Sequence, residues 1–152
     1  MAEYTKNEVQ TVQPNQQVLL NTTIGCPKGY VIHREGSGIV TLRGIVNNAC
    51  GCFARYQVTF NGNIALPEGA TLGPISVAVA IDGEPVQTSK AIVTPAAVDE
   101  YFNVTSTAIV TVPRGCCFNI SVENTSESLT PATTPAPPIN VQNANMVVTR
   151  IA

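Results

Sequence analysis

The amino-acid sequence predicts an all-β antiparallel domain of about eight to ten strands. Three observations carry that prediction. Segments such as Tyr56-Gln57-Val58-Thr59-Phe60 and Phe118-Asn119-Ile120-Ser121-Val122 alternate apolar with polar residues, the period of a strand with one buried face. Gly, Pro and Asn separate these segments, as turns require. No stretch combines an apolar 3.6-residue period with a cap, so a helix has no place to start.

The elements follow in order. Residues 1–15 are polar with sparse alternation and are predicted to form an N-terminal arm outside the domain, with Tyr4, Val9 and Val12 as anchors for a neighbouring subunit or another surface. The domain proper is then 16–152. Its first strand is predicted at 16–20, followed by a turn at Cys26-Pro27-Lys28-Gly29 and strands at 30–33 and 39–46 joined through Glu35-Gly36-Ser37-Gly38. A turn at 47–52 leads to a strand at 53–60 that closes on Asn61-Gly62-Asn63, since Asn-Gly is a strong hairpin signal. The strand at 75–81 has large residues on one face and only Ser and Ala on the other, so close packing is expected over the small side. Asp82-Gly83 is a second tight turn, and further strands are predicted at 91–94, 101–112, 118–122 and 141–151, with Pro113-Arg114-Gly115 as a turn between two of them. The Thr/Pro-rich tract at 126–138 cannot pair as a strand, because Pro lacks the ladder donor. It reads as a loop insertion, either an exposed contact tip or an insertion the fold tolerates.

Composition narrows the function. A chain of 152 residues fits one domain and buries a core without metal or disulfide staples. Charged residues make up 12% of it, about half the usual share. The outward strand positions carry Thr, Ser, Asn and Gln in place of Lys and Glu, which suits a building block that packs against copies of itself without desolvating charge. The formal net charge of −2 and the scattered Lys and Arg give no basic footprint for nucleic acid. No apolar run approaches the ~18 residues of a membrane span. The N-terminus has neither a basic n-region nor an apolar h-region, so no signal peptide is expected and folding is assigned to a cytoplasm.

Cys26, Cys50, Cys52, Cys116 and Cys117 are the residues with most chemistry to offer. In a cytoplasm they read first as reduced thiols, and their odd number leaves one unpaired or joined across a subunit boundary. Plain thiols, disulfides and a zinc site are the alternatives. The zinc spacing is poor, because one pair is C-x-C and the other adjacent, where structural sites use C-x₂₋₄-C. No metal or cofactor is therefore predicted. His33 is the only histidine, without a nucleophile motif around it. Asp82, Glu84, Asp99 and Glu100 belong to turns and loops and do not form a catalytic carboxylate pair. Asn21, Asn103, Asn119 and Asn124 head glycosylation sequons, which carry no weight without a secretory context. The residues point to no enzyme.

A pattern of this kind is compatible with a jelly roll, a sandwich or a barrel. Its arrangement resembles the compact jelly roll of the tumour-necrosis-factor and complement-globular-head superfamily, and that resemblance implies an antiparallel jelly-roll sandwich assembled as a homotrimer. The stretches Gly29-Tyr30-Val31-Ile32-His33-Arg34-Glu35-Gly36-Ser37-Gly38, Phe53-Ala54-Arg55-Tyr56-Gln57-Val58-Thr59-Phe60-Asn61-Gly62-Asn63 and Val141-Gln142-Asn143-Ala144-Asn145-Met146-Val147-Val148-Thr149-Arg150 resemble small proteins encoded by phages and prophages of Gram-positive gut bacteria. This likeness implies a virion structural protein, a capsid decoration or head-fibre subunit on the virion surface, with the major capsid protein or another virion component as partner. The alternative is a cell- or spore-surface binding module of the same fold, holding a glycan or protein through its loops. No residue roles come with either resemblance.

Overall fold

The computed structural model describes residues 1–25, 29–128 and 135–152. Its strands are β1 (Ala2–Lys6), β2 (Gln10–Val12), β3 (Thr22–Ile24), β4 (Val31–His33), β5 (Val40–Arg43), β6 (Phe53–Ala65), β7 (Ile75–Ile81), β8 (Glu84–Pro85), β9 (Ala91–Val93), β10 (Phe102–Pro113), β11 (Cys117–Asn124) and β12 (Ile139–Arg150). They form two six-stranded sheets. Sheet A runs β10-β6-β12-β1-β3, with β2 also on β12; sheet B runs β4-β5-β11-β7-β8, with β9 also on β7. All pairings are antiparallel. Among the described residues the only helical element is a single 3₁₀ turn, Gln87–Ser89.

Alternation sets the core. On β6, Ala54, Tyr56, Val58 and Phe60 point inward; on β11, Ile120 and Val122 meet them from sheet B. Burying each large side chain stabilises the fold by roughly 1.5–3 kcal/mol. Polar bonds also cross between the sheets. The Tyr56 hydroxyl donates to the Arg43 carbonyl on β5 at 2.6 Å, and the fully buried Asn124 amide on β11 donates to the Val12 carbonyl on β2 at 3.0 Å.

Three sequence expectations are corrected here. Residues 1–15 are not an arm: β1 lies inside sheet A between β12 and β3, with Ala2 and Tyr4 buried, and β2 buries Val12. A short alternation, Ala2-x-Tyr4, was enough because a long partner strand supplies the rest of the ladder. Of the three proposed anchors only Val9 stays exposed. Residues 16–20 are not a strand either; they make one isolated bridge, Gln17 to Glu123, with Val18 N–H donating to the Val122 carbonyl at 2.8 Å. Asn61-Gly62-Asn63 does not turn, since β6 runs straight through it for 13 residues. Gly62 serves close approach instead. A Cβ there would lie 2.9 Å from the tip of the Phe60 ring, opposite a register shift between Gln142 and Asn145.

Other turns are as expected. Asp82 (φ 51°) and Gly83 (φ 84°) are both left-handed, the geometry of a two-residue type I′ hairpin between β7 and β8. Gly36 lies in the β4–β5 connection and Gly115 in the β10–β11 turn, each with positive φ. Among the described residues there are twelve strands, because β2, β3 and β8, of two or three residues each, are too short to show as alternation.

Candidate functional site

The outward face of sheet A lays the side chains of β10, β6 and β12 out in register. Across it run Thr107, Thr59 and Val147, then Thr105, Asn61 and Asn145, then Asn103, Asn63 and Gln142. Cross-strand hydrogen bonds knit it together: the Asn103 amide donates to Asn61 at 2.8 Å and to Asn63 at 3.1 Å. Thr59 and Thr107 hydroxyls pair at 3.1 Å, and the Asn145 amide donates to Glu3 at 3.0 Å. Each such pair contributes roughly 0.2–1 kcal/mol and fixes its side chains. On the outward positions of β1, β6, β10 and β12 the charged residues are Glu3 and Arg55, the latter held 4.7 Å over the Phe53 ring. Ile109 stands in the middle of β10 at 64% exposure. The face is therefore nearly neutral, pre-ordered and open.

Sheet B finishes differently. Where β7 and β11 run side by side, the outward Ser76, Ala78, Ala80, Ser121 and Glu123 are all buried, while Cys117 and Asn119 at the start of β11 are exposed. The Ser76 hydroxyl bonds the Thr125 hydroxyl at 2.9 Å, and Ser76 N–H donates to Ser126 at 3.0 Å. Lys90 reaches Glu127 at 2.7 Å and lines the same hollow as Ser76 and Ile92. Glu123 is 5% exposed. Burial raises its carboxyl above the usual carboxylate range, against a hydrogen bond from Ser121 that lowers it, with Glu84 nearby adding to the rise. The Glu127 carboxyl is held below that range by its bond to Lys90.

The cysteines gather at one end of the sandwich. Cys50 and Cys52 precede β6, Cys116 and Cys117 enter β11, and all four are exposed free thiols. Arg114 joins the two pairs: its N–H donates to the Cys52 carbonyl at 2.9 Å, and its guanidinium to the Ala49 and Gly51 carbonyls at 3.3 and 3.4 Å. Cys26 lies outside the described residues. Among the described residues no three His, Cys, Asp or Glu side chains are grouped to hold a metal.

His33 has both ring nitrogens engaged. Nε2 lies 2.9 Å from the Ser37 carbonyl, which can only accept, so Nε2 carries the proton; Nδ1 then accepts from the Thr23 hydroxyl at 3.5 Å. Its ring packs on Tyr4 at 4.5 Å. Burial raises the Tyr4 phenol above its ordinary value. The loop carboxylates cap backbone: Asp82 accepts from Asn119 N–H at 2.9 Å, and Glu100 from Ala96 and Ala97 N–H at 3.0 and 3.2 Å. Of the sequon asparagines Asn21, Asn103 and Asn119 are exposed, while Asn124 is buried.

One further hollow lies in the loops. It measures about 210 Å³ and is lined by Gly69, Ala70, Thr71, Pro74, Glu127 and the described end of the Thr/Pro tract, Pro135 to Pro138. Residues 129–134 of that tract lie outside the described residues.

No family model matches the chain, and no curated protein sequence does. Solved structures do. The globular domain of zebrafish complement 1qA protein superposes with a TM-score of 0.55 at 14% identity, covering 96% of this chain and 94% of that one. The Eiger TNF of S. frugiperda gives a TM-score of 0.62 at 11% identity, over 100% of this chain and 92% of the other. The fold is an antiparallel jelly-roll sandwich. A third structure, the EclA C-terminal domain, a sugar-binding protein, reaches a TM-score of only 0.42 at 14% identity, over 95% of this chain and 79% of that one; it is too loose a likeness to bear on function.

Proposed function

We propose that this protein is a phage virion structural protein, a capsid decoration or head-fibre subunit that works as a homotrimer and carries no enzyme activity. The outward face of sheet A is the observation that carries this reading. Its ordered Asn and Thr side chains and the exposed Ile109 can be buried against a copy at little desolvation cost, because almost no charge must leave water. A closed assembly of identical chains uses such a patch repeatedly. The count of three comes from the resemblance to a superfamily that assembles as trimers, and the jelly-roll fold fits it. The place on the virion surface, and the major capsid protein as partner, rest on the sequence resemblance to phage proteins.

Light scattering tests the assembly: a mass of three chains at micromolar concentration is expected, and a monomer sinks the trimer. Peptide mapping of purified virions from the source phage or prophage tests the location. The chain should appear there in fixed ratio to the major capsid protein, and its absence from virions overturns the assignment.

A second reading has its own observation. The loop hollow between residues 69–74 and 135–138 is apolar with one carboxylate at its rim, Glu127, and would seat a glycan or part of a protein on a cell- or spore-surface binding module. Saturable binding to a glycan array that Pro137→Asp abolishes, with no signal in virions, favours this reading over the first.

A further inference from the structure

Free cysteine is among the most buried residue types, yet Cys50, Cys52, Cys116 and Cys117 are all exposed and share one end of the molecule. The ladder brings two of them to the same corner. Phe53 pairs with Pro113, so Cys52 faces Arg114, and the Arg114 N–H bonds its carbonyl at 2.9 Å. Cys116 closes the same turn, with its N–H donating to the Pro113 carbonyl at 3.0 Å. Cys52 thus lies one strand spacing from Arg114, and Arg114 lies two residues from Cys116 within a tight turn, which brings both cysteines to one corner of the sandwich. Both thiols also continue an inward register. Cys52 lies two residues before the buried Ala54, and Cys116 two before the half-buried Phe118, which packs on the core. Each sheet thus ends its inner row on a cysteine.

We propose that Cys52 and Cys116 form an intrachain disulfide when the protein meets a disulfide oxidant, closing this end of the sandwich. The other pairings fit less well. Cys116 and Cys117 are neighbours with Cα atoms about 3.8 Å apart, below the ~4.4 Å that ordinary disulfides need. Cys117 lies on the outward register of sheet B opposite Arg43. Cys50 lies in a turn off both inner rows, held by its N–H to Asn48 Oδ1 at 3.1 Å and by Gly51 N–H to the Asn48 carbonyl at 3.0 Å. The exchange balances in two steps. The Cys52 thiolate attacks glutathione disulfide, forming a mixed disulfide and releasing one glutathione thiolate. The Cys116 thiolate then attacks the Cys52 sulfur and expels the second glutathione, so two cysteines are oxidised as one glutathione disulfide is reduced. The two cysteine protons go to solvent or to the departing thiolates.

The test uses the full chain, reduced and then incubated with glutathione disulfide. Intact mass should fall by two hydrogens on a single chain, and peptide mapping without reductant should join the Cys52 and Cys116 peptides. Thermal melting of the oxidised protein should rise by roughly 5–10 °C, because the bridge closes a long loop. Cys52→Ser and Cys116→Ser should each abolish the bridge, while Cys50→Ser/Cys117→Ser keeps it. A mass that does not change, persistent glutathione adducts on both residues, a bridge to Cys26, or covalent oligomers in place of the intrachain product overturns the proposal. Light scattering of the reduced protein reads the trimer separately, so the two ideas fail independently.

Discussion

On sheet A the outward positions carry Gln57, Thr59, Asn61, Thr107 and Val147 and none is buried; along the β7–β11 strip of sheet B, Ser76, Ala78, Ala80, Ser121 and Glu123 are all buried. Both faces alternate polar or small residues with large apolar ones, so polarity alone does not distinguish them. Size and local bonding do. Small side chains on β7 lie low beside the Thr125 and Ser126 hydroxyls and the Lys90–Glu127 pair, whereas the amides and hydroxyls of sheet A bond sideways to one another and leave the face free. The β7–β11 strip of sheet B is sealed by its own chain, while Ile32 on β4 and Ile92 on β9 stay exposed. The outward face of sheet A is ordered and exposed, which is why the proposed self-association is sited there.

The comparison breaks first if the strands that flank the open face are dispensable. Deleting residues 1–13 removes β1 and β2 with Ala2, Tyr4, Gln10 and Val12, all buried. We expect no cooperative thermal transition from the truncated chain. A native-like melt would return these residues to an arm.

Asn124 gives the next largest effect. Its amide donates to the Val12 and Pro137 carbonyls and its carbonyl accepts from Ser126 N–H, each at 3.0 Å, in a site with no exposure. Asn124→Ala leaves those backbone groups without partners and should cost about 3 kcal/mol. Urea denaturation measures it, and a loss below about 1 kcal/mol would show that the site relaxes.

Much of this was legible beforehand, and the failures have physical causes. The strands around Tyr56, Val77, Val110 and Val148 show as alternation because each is long enough to express the period. Asp82-Gly83 shows as a turn because few other dipeptides accept two left-handed residues at low strain. Asn61-Gly62 misleads because the same lack of a Cβ that permits a turn also permits the approach of Phe60 and Ala144. β1 escapes because its partner, β12, lies more than a hundred residues away, and local pattern carries no information about it. The thiol cluster is half visible: both pairs flank turn residues, but only the ladder from Phe53 to Pro113 brings them to one end.

Glu123 sharpens the contrast from the sealed side. Burial raises its folded-state carboxyl above the unfolded value, so the native state holds the proton more tightly. Stability from this group is fully present below the unfolded carboxylate pKa and is lost as pH rises through the raised folded value. Glu123→Gln keeps the oxygen that accepts from Ser121 and removes the titration. It should be more stable than the parent near neutrality and close to it below pH ~4. Equal urea midpoints for the two proteins at neutral pH would mean that the carboxylate is well solvated after all.

The smallest expected effect on the isolated fold belongs to the open face. Ile109 is 64% exposed on β10, opposite Gln57, so Ile109→Asp should change monomer stability by no more than about 0.5 kcal/mol. If copies meet across this face, the same substitution buries a carboxylate three times over in a trimer, and assembly should be lost while the fold survives. Light scattering and thermal melting on one sample separate the two outcomes. A trimer that persists with Asp at this position would move the contact surface off sheet A, and the neutral, hydrogen-bonded Asn and Thr lattice would then need another occupant.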